Sequence, residues 1–62
     1  MAFTVKQARL YADLTQREMA DFLQIHVQTY RKIEENPRTA TIEQAKKISE
    51  YTKVPFDEII FV

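Results

Sequence analysis

Apolar residues recur every three or four positions along most of this chain, and polar residues fill the positions between them. This spacing is typical of amphipathic α-helices that turn one side to a core. The pattern predicts five helices, near residues 5–13, 16–23, 27–35, 42–52 and 56–60. The alternation that indicates a β-strand is missing. The expected fold class is therefore all-α, a compact domain of five helices.

Three of the predicted helices begin with the same signal. Thr4, Thr15 and Thr41 each precede a glutamine or a glutamate by three positions. In such a capping box the threonine hydroxyl accepts a hydrogen bond from a free amide, and the longer side chain reaches back to the threonine amide. Pro37 stops the third helix, and Pro55 suits the first turn of the fifth.

The core prediction follows from the apolar side of each helix and from the segments between helices. The residues expected inside are Val5, Ala8, Ala12, Met19, Ala20, Leu23, Ile25, Tyr30, Ile33, Ala45, Ile48, Val54, Phe56 and Ile59. The link Gln24-Ile25-His26 is short enough to hold the second and third helices in contact at a wide angle. Either Gln24 takes up the left-handed conformation that glycine adopts at least cost, or the turn differs here.

Composition excludes several classes of protein. The 62 residues suffice for one domain, over residues 1–62. The chain has no cysteine, and its single histidine has no nearby ligand partners, so we expect no disulfide, metal or cofactor. No apolar run approaches the roughly 20 residues of a membrane span, and the N-terminus lacks the layout of a secretory signal. These features predict a cytoplasmic protein without membrane contacts.

The segment LTQREMADFLQIHVQTYRKIEEN, residues 14–36, contains two short amphipathic helices joined by the tight link. Its second helix keeps an outer face that the apolar pattern does not need inside, made of Val27, Gln28, Arg31 and Lys32. A short helix that is braced by another and exposes amide and cationic groups has the physical form of a helix-turn-helix reader of DNA. The motif is expected at about residues 16–35.

The string LTQREMADFLQIHVQTYRKIE, followed by NPRTATIEQAKKISEYTKVPFDEIIF, resembles the Xre-type, or Cro/phage-repressor-like, helix-turn-helix domains. The resemblance covers roughly residues 5–61 and implies a lambda-repressor-like fold that binds operator DNA. It implies that Gln16 binds a phosphate and buttresses the recognition helix. It also implies that Arg9 and Glu34 form a structural ion pair. Two departures are the absence of glycine from the turn and the apolar Val27 at the first reading position.

Two sets of DNA contacts are predicted from the resemblance and from the chemistry of the side chains. The expected base contacts are Val27, Gln28, Arg31 and Lys32. The expected phosphate contacts are Gln16, Arg17, His26, Asn36, Arg38 and Thr39. The amide of a glutamine can pair with adenine, an arginine fork suits guanine or phosphate, and a valine can touch a thymine methyl group. Gln16 and Arg17 stand at a helix N-terminus, which attracts anions.

These residues also have interpretations that involve no base contact. Val27 packs against the second helix instead, Arg31 pairs with Glu35 four positions on, and Lys32 reaches only a phosphate. The polar residues at the start of the second helix are then simply solvated, and Asn36-Pro37 forms a turn.

Self-association is predicted at the end of the chain. The candidate surface is Ile59, Ile60, Phe61 and Val62. A two-fold homodimer on DNA would set two recognition helices about 34 Å apart, one turn of the duplex, and would read a palindromic site.

The predicted function is a DNA-binding transcriptional regulator, specifically a repressor of the phage Cro or C1 type. Nine basic residues balance nine acidic ones, so we expect modest sequence-independent affinity for DNA. The alternative is a protein-interaction module, antitoxin-like or anti-repressor, that keeps the fold but binds DNA weakly. An enzyme is not expected, because the lone histidine lacks a nucleophile and a domain this small offers little room for a small-molecule substrate.

Overall fold

The computed structural model describes residues 2–61, and these form an all-helical structure. Its four α-helices are α1, Val5–Tyr11; α2, Gln16–Leu23; α3, Val27–Glu35; and α4, Ile42–Thr52. Two short 3-10 turns, Pro37–Thr39 and Phe56–Glu58, follow α3 and α4. None of these helices has the length and hydrophobicity that a helix needs to cross a bilayer.

The helix starts follow from local hydrogen bonds. Thr4, Thr15 and Thr41 each accept a hydrogen bond from the amide three residues on, and complete capping boxes form at α1, α2 and α4. The start of α3 differs, because His26 occupies the capping position without a side-chain hydrogen bond to the helix.

Two of the five predicted helices differ from the structure. The first helix ends at Tyr11 rather than at residue 13, because Asp13 has a positive φ of 61° that no α-helix contains. The fifth helix, predicted over residues 56–60, is not confirmed, since only one 3-10 turn forms there. Ile59 is extended and makes a parallel bridge with Phe3. The Phe3 amide donates to the Glu58 carbonyl at 2.7 Å, and the Ile60 amide donates to the Phe3 carbonyl at 2.8 Å.

The turn between α2 and α3 takes up the left-handed conformation at Gln24, with φ 57° and ψ 43°. The Gln24 amide donates to the Asp21 carbonyl, and the Ile25 amide donates to the Ala20 carbonyl, both within 3.1 Å. This is the Schellman arrangement that usually ends on glycine. Asp13 and Lys53 adopt similar positive φ values after α1 and α4, so three helices of this glycine-free chain end on a strained residue.

The core lies where the four helices meet. Its buried apolar members are Val5, Ala8, Met19, Ala20, Leu23, Tyr30, Ile33, Ala45, Ile48, Val54 and Ile59. Three predicted members differ: Ala12 and Ile25 are only partly buried, and Phe56 is 48% exposed because the 3-10 turn leads its ring outward, where it stacks on Phe61. Ile25 packs against the core from the turn and helps to hold α3 against α2.

Candidate nucleic-acid interface

The outer side of α3 carries a continuous polar face. Gln28, Arg31, Lys32 and Glu35 are exposed, and their spacing of three, four and seven positions places them on one side of the helix. Tyr30 and Ile33 occupy the opposite side and are buried. The apolar contacts of α3 therefore hold the helix against the domain while its polar face points to solvent.

Val27 stands at the boundary between the two sides of α3. Its side chain is partly buried and packs against the core cluster. Part of the Val27 side chain therefore packs inside the domain while the rest stays exposed, and the base contact of Val27 stays a prediction.

Four side chains from three helices connect α1 to the polar face of α3. Arg9 Nε donates to Glu34 Oε2 at 2.6 Å, and Arg9 Nη1 donates to the Leu14 carbonyl at 2.9 Å. Gln16 Nε2 donates to Glu34 Oε1 at 3.0 Å. Arg31 Nε in turn donates to Gln16 Oε1 at 3.1 Å. We call this set, Arg9, Glu34, Gln16 and Arg31, the polar relay.

The buried end of the polar relay is electrostatically stabilised. Burial raises the pKa of Glu34, but the hydrogen bonds from Arg9 and Gln16 and the nearby Tyr30 hydroxyl outweigh it and hold that pKa below its usual value. The hydrogen bond with Glu34 raises the pKa of Arg9. Burial raises the pKa of Tyr30, whose hydroxyl makes no hydrogen bond of normal geometry within residues 2–61. All three groups therefore keep their ordinary neutral-pH charge states.

The predicted phosphate contacts lie on both sides of α3. Arg17, on the first turn of α2, is exposed and forms no hydrogen bond or ion pair within the described residues. His26, at the start of α3, is exposed and makes no capping bond. Beyond the other end of α3, Asn36 and Arg38 are exposed. Thr39 is also exposed, but its hydroxyl donates to the Asn36 carbonyl at 2.8 Å and thereby stabilises the loop.

Comparison with protein families decides the class. A helix-turn-helix family model matches residues 5–59. The chain belongs to the helix-turn-helix family of the Cro/C1, Xre-like type. Searches of curated proteins and of solved structures gave no significant match. Membership of this family makes the protein a DNA-binding regulator of the Cro/C1 type.

Two exposed residues of this helix-turn-helix domain were missed by sequence reasoning. Thr29 is exposed on the first turn of α3, next to Gln28. Lys6 of α1 lines a polar cleft together with Gln16, Arg31, Glu34 and Glu35. The 3.6-residue period could have identified Thr29 as outward-facing, whereas the position of Lys6 depends on how α1 packs beside α2 and α3.

The predicted self-association residues of the helix-turn-helix domain are placed unequally. Ile59 is buried in the monomer core, so its side chain has no surface to offer a partner. Ile60 is 41% exposed and Phe61 is partly buried, whereas Val62 lies outside the described residues. A second apolar surface was not predicted: Ile42 is 74% exposed beside Phe56. We call it the apolar groove, lined by Pro37, Arg38, Ala40, Thr41, Ile42, Ala45, Phe56 and Phe61.

Proposed function

We propose that this protein is a repressor that inserts α3 into the major groove of a palindromic operator and blocks a promoter by occupying it. The observation that carries the proposal is the exposed polar face of α3, whose side chains, apart from Arg31, make no hydrogen bond or ion pair within residues 2–61. A helix of this kind, supported from behind by α2, matches the docking geometry of helix-turn-helix proteins.

The base contacts are assigned from the chemistry of that face. The side-chain amide of Gln28 can donate to adenine N7 through its nitrogen and accept from adenine N6 through its oxygen, which is worth about 1–3 kcal/mol of discrimination. Lys32 lies one helical turn farther along and can donate to guanine O6 or N7. Val27 has no hydrogen-bonding group, so its contribution would be contact of its exposed part with a thymine methyl group.

The phosphate contacts are assigned to side chains that flank α3. Arg17, His26, Asn36 and Arg38 present free polar groups on the two sides of the helix. We assign Thr39 the smallest share, because its hydroxyl and its backbone amide both donate to the Asn36 carbonyl within the loop. Contacts of this type set the register of a protein on DNA and carry the salt dependence of binding.

A homodimer on DNA is proposed through the apolar groove. The groove includes Arg38 and borders the loop assigned to phosphate contact, so a second copy seated there would lie close to the proposed DNA-binding surface. The domain measures 29 × 23 × 18 Å, which is compatible with two recognition helices about 34 Å apart. Ile42 and Phe56 expose apolar surface that such a contact would cover.

A protein-interaction module is the second candidate, favoured by the zero net charge and by the exposed apolar groove. Titrating random duplex DNA at increasing salt separates the two functions. Affinity that falls steeply with salt indicates neutralisation of phosphates, whereas no binding at low salt would favour the interaction module.

The repressor proposal is tested by selecting duplexes from a random pool. Two inverted half-sites one helical turn apart are expected. Gln28→Ala should relax the preference at one base pair and leave binding to random duplex nearly unchanged. Arg38→Ala should weaken binding to all sequences about equally and make the salt slope shallower by about one. Equal losses from both variants on every sequence would contradict this division of roles, and recovery of a single half-site would contradict the dimer.

A further inference from the structure

Arg31 shares the polar face of α3 with Gln28 and Lys32, but it is not free. Its Nε donates to Gln16 Oε1 at 3.1 Å, across the contact between α3 and α2. The alternative partner on its own helix, Glu35, forms no ion pair with it in the described part of the chain. The hydrogen bond therefore holds the guanidinium of Arg31 close to the first residue of α2 and away from the other residues of the α3 face.

Glu34 determines which end of the Gln16 amide faces Arg31. Its carboxylate can only accept hydrogen bonds, so the amide nitrogen of Gln16 must face it, and Gln16 Nε2 lies 3.0 Å from Glu34 Oε1. The amide oxygen then faces the other way and is presented to Arg31. Arg9, at 2.6 Å from the second carboxylate oxygen, holds Glu34 in place. Each bond of the polar relay thus fixes the orientation of the next.

The position of Gln16 decides what Arg31 can reach. Gln16 is the first residue of α2, where backbone amides are left without helical partners and anions are favoured. Base edges lie on the floor of the major groove and are contacted by the N-terminal residues of the recognition helix, whereas the phosphates lie along the margins of the groove. Because Arg31 is held toward the start of α2, its guanidinium is directed to the margin of the major groove, where the phosphates lie.

We propose that Gln16 positions Arg31 as a clamp on the DNA backbone, so that Arg31 contacts a phosphate beside α2 and reads no base. This inference rests on the proposed DNA-binding role of α3. It changes the assignment of Arg31 from base contact to phosphate contact and leaves sequence reading to Gln28 and Lys32. Because the side chain is already ordered before DNA arrives, less conformational entropy is lost on binding.

The test uses two variants and one control. Arg31→Ala removes the clamp, and Gln16→Met keeps the length of the side chain while removing both hydrogen-bonding groups. Lys46→Ala, at an exposed position on α4, controls for the loss of one positive charge. Thermal melting checks that each variant remains folded at the temperature of the binding assay.

For Arg31→Ala we expect the affinity for the selected duplex and for random duplex to fall by the same factor, about tenfold or more. The salt slope should become shallower by about one, and the preferred motif should not change. In the Gln16→Met background the same substitution should cost clearly less, because Arg31 is no longer held there. Lys46→Ala should leave both the affinity ratio and the motif unchanged.

A readout in the free protein is independent of DNA. The Nε proton of Arg31 should give a nuclear magnetic resonance signal protected from exchange with water, and Gln16→Met should abolish that protection. An unprotected signal in the parent protein, or a changed base preference in Arg31→Ala, would overturn the inference while leaving the DNA-binding role intact. Failure of the parent to bind any duplex would instead overturn the proposed function, and this inference with it.

Discussion

Arg9→Ala should be the most destabilising single change in the polar relay. The side chains of Arg9 and Glu34 are only 9% and 6% exposed, and Nε and Oε2 lie 2.6 Å apart. Removal of Arg9 leaves the Glu34 carboxylate with Gln16 as its remaining donor of normal geometry and leaves the Leu14 carbonyl without its side-chain partner. Breaking such a shielded pair costs about 3–5 kcal/mol. A chain of 62 residues has a total stability of about 3–9 kcal/mol, so the variant should lose about a third of it or more.

The loss should depend on pH, and its sign can be worked out. Burial raises the pKa of Glu34, but the hydrogen bonds from its partners lower it below the usual 4.5. In the parent, this carboxylate therefore contributes stability that is present above pH 4.5 and is lost as the pH falls through the lowered pKa. In Arg9→Ala, fewer hydrogen bonds oppose the effect of burial on the pKa of Glu34, so that pKa is higher than in the parent. Protonation of the carboxyl then removes a buried charge that has lost its partner. The stability gap between parent and variant should therefore narrow from pH 7 toward pH 4.

Urea denaturation at both pH values measures this gap. Lys47→Ala is the matched control, because Lys47 Nζ lies 3.3 Å from Glu43 Oε1 in a solvent-exposed pair on α4. That control should change the free energy of unfolding by no more than about 1 kcal/mol. Replacing both Arg9 and Glu34 with apolar residues of similar size should restore much of the lost stability. The reasoning is refuted if Arg9→Ala unfolds at the same urea concentration as the parent, or if the gap is the same at both pH values.

Two further changes should stabilise the protein. Gln24→Gly removes the left-handed strain of about 1–2 kcal/mol at φ 57°. Part of that gain is offset by the extra chain entropy of glycine in the unfolded state. The melting temperature should therefore rise by a few degrees, at about 4–8 °C per kcal/mol. A similar rise in Gln24→Ala would contradict relief of strain as the cause. His26→Ser supplies the capping hydroxyl that α3 lacks and should add about 1 kcal/mol in urea denaturation. The same variant should bind random duplex more weakly, because the imidazole is assigned to a phosphate, and unchanged binding would remove His26 from that set.

The helix positions could largely be predicted from the sequence because local signals determine them. The bounds of α2, α3 and α4 coincide with the predicted 16–23, 27–35 and 42–52. Threonine capping boxes at α2 and α4 and the short link before α3 are all local features. The failures arose where distant residues compete with local preference. The segment after Pro55 has helical spacing, but Ile59 pairs with Phe3, more than fifty positions away, and the helix is not formed.

The candidate interface also combines features that the sequence predicts with features that depend on packing between distant residues. The exposure of Gln28, Arg31 and Lys32 follows from the period of α3, which the apolar positions define. The bond from Arg31 to Gln16 could not be predicted, since it depends on the packing of α3 against α2 and on the amide orientation that Glu34 imposes. Sequence spacing instead pointed to Glu35 as the partner of Arg31. Ile59 was predicted both in the core and on the self-association surface, and the structure buries it. An apolar pattern alone does not say which of several neighbouring apolar residues faces the core.

The zero net charge of the chain is compatible with DNA binding because the outer face of α3 carries two basic side chains, Arg31 and Lys32, and one acidic side chain, Glu35. Glu34 is neutralised internally by Arg9, and Glu43 pairs with Lys47 on α4. Among the charges on the outer face of α3, Glu35 is the acidic one and stands at its C-terminal end. A carboxylate there would repel the phosphates, so the proposed docking must bring the N-terminal half of α3 closest to the duplex. Gln28 lies in that half, which is the part of a recognition helix that contacts base edges in other helix-turn-helix proteins, and Arg31 lies next to it, at the middle of α3.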